Sequence, residues 1–278
     1  MSEYFLKITP KGVYESKKPL KEVIEFAIND FHRIKYIVGS EVKARIFDKA
    51  LGQLWLLVEP IIMAGLYFFI STVIFTYTGQ KNMFLFILTS VIFWRWFSKT
   101  IDSSPFVLVS YASVIKQTNF PIYIILLSYV CTEIFLWFMS FVVLMIFLTC
   151  YGILPSSAYI YLPIVLITQL SITMFLTLIF SVIGTFFKDL SGILYAFTSI
   201  WWYMSPGIYP VSRIPEKYLW LYNLNPFAHI LPAYRDIIIN GQVPDFYPLI
   251  IILVVSSFLT YFAFKLFNAA KYRFFMYL

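Results

Sequence analysis

Long apolar runs and short polar breaks alternate along most of this chain. The runs fall at 53–77, 83–101, about 121–150, 157–186, 191–209 and 246–267. Each is long enough to cross a hydrocarbon core of about 30 Å, which takes roughly 20 helical residues. Backbone inside lipid can satisfy its polar groups only as a helix or a closed barrel. The pattern therefore predicts an all-α polytopic membrane protein with six transmembrane helices. Residues 104–115 are also apolar but too short to cross. They follow the interruption at Lys99, Asp102 and Pro105, and read as a broken end of the second span.

The flanking segments follow other patterns. Residues 1–18 are polar, with Pro10 and Pro19 bracketing a loop. From Leu20 the apolar positions Val23, Ile24, Ala27, Phe31 and Ile34 recur at helical spacing, while Lys21, Glu22, Glu25, Asn29, Arg33 and Lys35 occupy the other face. This predicts an amphipathic helix over 20–37, lying along a membrane surface or a partner, or else packed into a small cytosolic cap. Between 210 and 245, short apolar pieces are divided by Pro215, Pro226 and Pro232. None can span, so short re-entrant helices in the outer leaflet, or a cap on a pore exit, are expected before the last span. Asn240-Gly241 reads as a helix C-cap. The division is an N-terminal segment 1–50, a transmembrane domain 51–270 and a tail 271–278.

Composition agrees with lipid as the solvent. Charged residues make up 13% of the 278, against about 25% in a soluble domain. Mean hydropathy is +0.80. So little charge cannot cover a water-facing surface. The net charge of +7 carries its meaning in position rather than in sum, and nucleic acid is not implied. Six spans place both termini on one side, with ten basic residues before position 50 plus Lys99, Lys116, Lys188, Lys265, Lys271 and Arg273. The other side holds Lys81, Arg213, Lys217 and Arg235, and Arg95 falls inside a span. Sixteen against four predicts cytoplasmic termini. Residues 1–50 hold no apolar stretch of the kind a cleaved signal needs, so the first span is expected to act as an uncleaved targeting signal.

The chemistry-bearing motifs of enzymes are missing from the sequence. No G-x-x-x-x-G-K-[ST] is present, so ATP is not expected on this chain. His32 and His229 are the only histidines, one near each membrane face, which argues against a histidine metal site. Acidic residues stand singly rather than in catalytic pairs. Cys131 and Cys150 lie in one expected helix about 28 Å apart, too far to bridge within the chain.

Several short motifs stand in a definite order. Leu51-Gly52-x-Leu54-Trp55 with Glu59-Pro60 opens the first span, and Asn119-Phe120-Pro121 precedes the third. Lys188-Asp189-Leu190 precedes the fifth; then come Ser205-Pro206-Gly207-Ile208-Tyr209, Ile214-Pro215, Leu224-Asn225-Pro226 and Arg235. Over roughly residues 35–270 this resembles the ABC-2-type permease family that exports O-antigen, capsule and related polysaccharides. Lys188 departs from that pattern, where Arg is usual. The resemblance implies a half-transporter in the bacterial inner membrane that pairs with a second copy of itself and with two ATP-binding ABC subunits. ATP and magnesium would then sit on the partner ATPase, with no cofactor on this chain. The implied cargo is a lipid-linked polysaccharide, O-antigen-like, on a polyprenyl pyrophosphate. Alternatives within transport are a capsule or teichoic acid permease and an ABC-2 drug or small-lipid exporter. Outside transport stands a membrane-embedded transferase, which the lack of an Asp/His/Glu cluster argues against.

Candidate site residues follow from both readings. Trp94, Trp96 and Phe97 in the second span, with Trp201, Trp202 and Tyr203 in the fifth, could line a glycan path, since flat aromatic faces pack on sugar C–H patches. They could equally be interfacial anchors. Arg95 is costly inside a bilayer. Hairpin arithmetic about a turn near Ser113 sets it at the depth of Glu133 as a pair. Alternatively it meets the substrate's pyrophosphate with Lys99 one turn below, or it snorkels. The cytoplasmic handles for the ATPase are expected at Phe31 and Ile34 and around Lys116, Phe120 and Pro121.

Overall fold

A computed structural model describes residues 4–9, 12–17, 20–47, 52–74, 76, 82–117 and 120–277. The chain opens with an antiparallel hairpin, β1 (Tyr4–Thr9) and β2 (Gly12–Lys17), where the sequence suggests only a polar loop. Helix α1 (Leu20–Phe47) runs ten residues past the expected end of the amphipathic segment. The remainder is helical, with α2 (Gly52–Phe69), α3 (Met83–Ser103), α4 (Val107–Ser110), α5 (Ala112–Gln117), α6 (Ile122–Cys150) and α7 (Leu162–Phe186) in order. After these come α8 (Leu190–Tyr203), α9 (Leu219–Asn223), α10 (Phe227–Arg235) and α11 (Phe246–Tyr277).

Among the described residues five helical stretches are long and apolar enough to cross a membrane: Leu57–Ile74, Met83–Ser110, Ile122–Cys150, Ser157–Phe186 and Phe246–Ala270. The second spans the expected break. Pro105 lacks an N–H and tightens Ser104–Phe106 into a 3-10 turn, beyond which α4 carries on. Gly184 of α7 packs so closely there that a Cβ on it would meet the Pro105 Cα at 2.4 Å. The expected fifth span, 191–209, is helical only as α8. Fourteen residues give about 21 Å, short of the ~30 Å core.

Helix α3 is the axis of the bundle. In the most apolar 18 residues of its span 78% are buried, against 17% in the equivalent stretches of α2 and α11 on the outside. It also serves as a ruler for depth. Glu59 of α2 pairs with Arg95 and Phe68 with Phe84, so α2 is antiparallel to α3. Tyr129 donates to the Thr100 carbonyl, and Phe147 meets Phe84, so α6 is antiparallel as well. Gln169 reaches the Phe93 carbonyl and Gly184 reaches Pro105, so α7 runs parallel to α3. Helix α11 in turn runs parallel to α7. Tyr161 meets Phe246 just before α7, Ser256 and Thr260 bond Ser171, and Leu178 packs in one cluster with Ala263 and Phe267. Two parallel helices require the chain between them to return across the bundle once.

That return is stepped. Thr198 lies beside Asp102, and Trp201 and Trp202 beside Trp94, so α8 climbs antiparallel to α3 and stops near its middle. Residues 204–210 continue as turns toward the end of the bundle where α2 finishes, and there the Ile208 carbonyl accepts from Ser71 Oγ at 3.2 Å. The chain then descends through α9 to Asn225. Helix α10 starts beside Trp94 and Phe97 and climbs again to Ser90 and Phe86. Its continuation, Asp236–Asn240, ends at Gly241 with φ +64°, the left-handed C-cap expected from the sequence.

Candidate functional site

The motifs separated in sequence meet where α8 stops. Asn225 Oδ1 accepts from Trp201 Nε1 at 2.9 Å and from the Phe227 backbone N–H at 3.0 Å. Its Nδ2 donates to Ser205 Oγ at 2.9 Å and to the Met204 carbonyl at 3.2 Å. One amide thus terminates α8, starts α10 and joins them. Arg235 is 4% exposed and donates from Nη1 to the Pro206 carbonyl at 2.5 Å and to Ser90 Oγ at 3.1 Å. Its guanidinium carbon stands 3.8 Å over the Phe86 ring. Gly207 lies flat against Trp202, whose ring a Cβ would reach at 2.2 Å.

Below this junction, between α2, α3 and α8, is a cavity of about 720 Å³. It extends along α3 from Val91 to Ser103, about 18 Å at 1.5 Å per residue. Trp55, Tyr67, Trp94, Tyr195, Trp202 and Tyr203 give it aromatic walls, and Arg45, Glu59, Arg95, Lys99 and Asp102 give it charge. Of the six aromatic candidates, Trp94, Trp202 and Tyr203 line it. The other three pack elsewhere. Trp96 stacks on Trp137 at 5.0 Å beside a cleft of about 40 Å³, and Phe97 and Trp201 close around Phe227.

The charges pair differently from the hairpin arithmetic. Arg95 Nη2 lies 2.6 Å from Glu59 Oε1, while Glu133 is bound by Arg45 from the end of α1. Arg45 also lies 3.4 Å from Glu41 and over the Tyr129 ring. Burial works against the Arg45 charge, but Glu133 and then Glu41 outweigh it and raise its pKa above the ordinary value. The expected Arg95–Glu133 pair is therefore corrected. The turn between α3 and α6 holds two extra short helices, and Tyr129 against Thr100 with Trp137 against Trp96 sets Glu133 about a turn inward of Arg95. Sequence reasoning misses Glu59 as the partner, although a signal exists. Glu59 stands about 19 residues before Thr78 and Arg95 about 17 after it, equal depths on either side of the outer turn. Among the described residues Lys99 makes no ion pair.

The expected cytoplasmic handles are adjacent to one another. Asp30 accepts from the Tyr123 hydroxyl, Arg33 stands 6.0 Å over Phe120, and Glu41 accepts from the Tyr111 hydroxyl at 2.5 Å. Helix α1 therefore docks on α6 and the preceding turn largely through polar residues. Phe31 is left 64% exposed, Ile34 and Pro121 half-buried and Lys116 exposed.

A bundle of five helical stretches, each long and apolar enough to cross a membrane, defines a multi-pass membrane protein. The chain belongs to the ABC-2 type transporter family, whose model matches residues 32–239. It is similar to two O-antigen export system permease proteins RfbA of Klebsiella pneumoniae. They are 31% and 32% identical over 245 and 246 residues, 88% of this chain and 94% of each relative. It is also similar to the O-antigen export system permease protein RfbA of Myxococcus xanthus, at 26% identity over 240 residues, 86% of this chain and 92% of the relative.

Proposed function

We propose that this chain is the membrane subunit of an ATP-driven exporter that moves a lipid-linked, O-antigen-like polysaccharide across the bacterial inner membrane. The cavity carries this reading. Its volume falls within the range of about 300–1,000 Å³ typical of ligand clefts. Six aromatic side chains face a site that also holds three cations, a combination suited to a sugar chain with an anionic headgroup. The names of the relatives, matched along nearly their whole length, point the same way.

In this reading the chain crosses six times, with α8 and the turns after it as the fifth crossing and α9–α10 as a re-entrant hairpin. The parallel course of α7 and α11 supports it. Both termini are cytoplasmic, a second copy completes the transporter, and two ATPase subunits contact the surface of α1 and the 116–121 turn. ATP and magnesium are bound by those subunits. The test reconstitutes the chain with its ATPase and measures ATP hydrolysis. Stimulation by a lipid-linked glycan is expected, and stimulation by apolar drugs but by no glycan would overturn the proposal.

A further inference from the structure

The charged part of the cavity contains two kinds of cation. Arg45 is held by Glu133, whose side chain is 3% exposed, and by Glu41, so its charge is matched. Arg95 and Lys99 differ. They lie four residues apart on one face of α3 and both line the cavity. Among the described residues Arg95 forms an ion pair with Glu59, and that pair is open to the cavity, with side chains 26% and 33% exposed. Lys99 makes no ion pair among the described residues. Lys99 is exposed rather than paired, and Asp102, the other carboxylate of this part of the cavity, is engaged by Thr198 instead.

We propose that Glu59 holds, in the unloaded protein, the anion position of a binding site formed by Arg95 and Lys99, and that a diphosphate on an apolar anchor displaces it. This rests on the export reading above. A guanidinium binds phosphate through a planar two-pronged contact, and a multiply charged headgroup matches both cations where one carboxylate matches one. Asp102, one turn inward, accepts from Thr198 Oγ1 at 2.9 Å and repels an anion from the inner end, which keeps the headgroup between Arg95 and Lys99. Pro60 follows Glu59 directly inside α2 and removes one rung of its hydrogen-bond ladder, so the helix yields most easily at the residue that has to move. The outer face of α2 exposes Val58, Ile62 and Leu66, where an anchor can remain in lipid while its headgroup enters.

The full-length protein in lipid nanodiscs is titrated with tritiated geranylgeranyl diphosphate and, separately, with tritiated geranylgeraniol. Glu59→Gln should tighten diphosphate binding about tenfold, the factor equivalent to about 1.4 kcal/mol, and leave the alcohol unchanged. Lys99→Gln removes no ion pair and should weaken diphosphate binding severalfold in a normally folded protein. A folded Glu59→Gln variant with equal or weaker diphosphate affinity overturns the proposal. If that variant does not fold, the exchange Glu59→Arg with Arg95→Glu decides together with Lys99→Gln, and wild-type affinity in both overturns it. Surface glycan in cells carrying the same variants keeps the two readings apart. Failure of the wild-type chain to restore glycan sinks the export reading. Restored glycan with binding indifferent to Glu59 and Lys99 sinks only the displacement.

Discussion

At the scale of single residues, the ionic contacts set which substitutions the bundle tolerates. Glu133 is 2% exposed and bound by Arg45, so Glu133→Gln should lower the thermal midpoint. Losing one partner of a buried pair costs about 3 kcal/mol, and the partial exposure of Arg45 reduces that. Exchanging Arg45→Glu with Glu133→Arg should regain at least half of the loss, because the pair is rebuilt in reverse. Exchanging Arg95→Glu with Glu133→Arg should regain nothing. It sets two arginines together at position 133 and two glutamates at position 95. Thermal unfolding of the detergent-purified variants, followed by size exclusion, separates these outcomes, and recovery in the second exchange would refute the assigned pairing. A carboxylate partner for Arg95 was one of three readings open in the sequence, beside a substrate contact and snorkelling. Which carboxylate served was not legible, because depth arithmetic assumes straight helices and a simple turn. The α2–α3 hairpin meets that assumption, and the α3–α6 connection, with α4 and α5 inserted, does not.

At the scale of elements, the junction of α8 and α10 depends on Asn225. An aspartate there keeps the acceptor that caps α10 but loses the donor to Ser205 and the Met204 carbonyl. Asn225→Asp should therefore cost about 1 kcal/mol, the net worth of a lost hydrogen bond, since Asn225 is half-buried and Ser205 keeps its bond to the Trp201 carbonyl. It should also raise protease sensitivity between 204 and 226 while α2, α3 and α6 stay protected. Limited proteolysis in nanodiscs, read by mass spectrometry, checks this, and uniform sensitivity along the chain would count against a local role. The sequence signals the elements well where hydropathy and length coincide, as in α6, α7 and α11. It overextends α8, because a hydropathy window records apolar character and not the point at which a helix ends. Ser205-Pro206-Gly207 marks the break, but only the later Asn225 shows how it is closed.

At the scale of the whole molecule, the antiparallel course of α2, α3 and α6 and the parallel course of α7 and α11 give each segment a direction. With the basic residues concentrated before position 50, that direction predicts a cytoplasmic N-terminus and an outer position for 211–218. Single cysteines replacing Ser2 and Glu216, in a chain lacking Cys131 and Cys150, should differ in reaction with an impermeant maleimide added to intact spheroplasts. Glu216 should label and Ser2 should not. Labelling at Ser2, or at both positions, would overturn the assigned topology.

The half-depth end of α8 bears on the order in which the protein is made. The run 191–209 is long enough to enter a bilayer as one straight helix while it leaves the ribosome. The amide that fixes its end at Tyr203, and the aromatic ring that fills the space beside Trp94 and Phe97, belong to Asn225 and Phe227. Those residues are synthesised later. The centre of the membrane domain therefore takes its final form only after the last hairpin has been translated, so biogenesis runs from a provisional straight span to a stepped one. A nascent chain whose run 191–209 has left the ribosome, while Asn225 and Phe227 are still in the exit tunnel, should hold a continuous fifth segment.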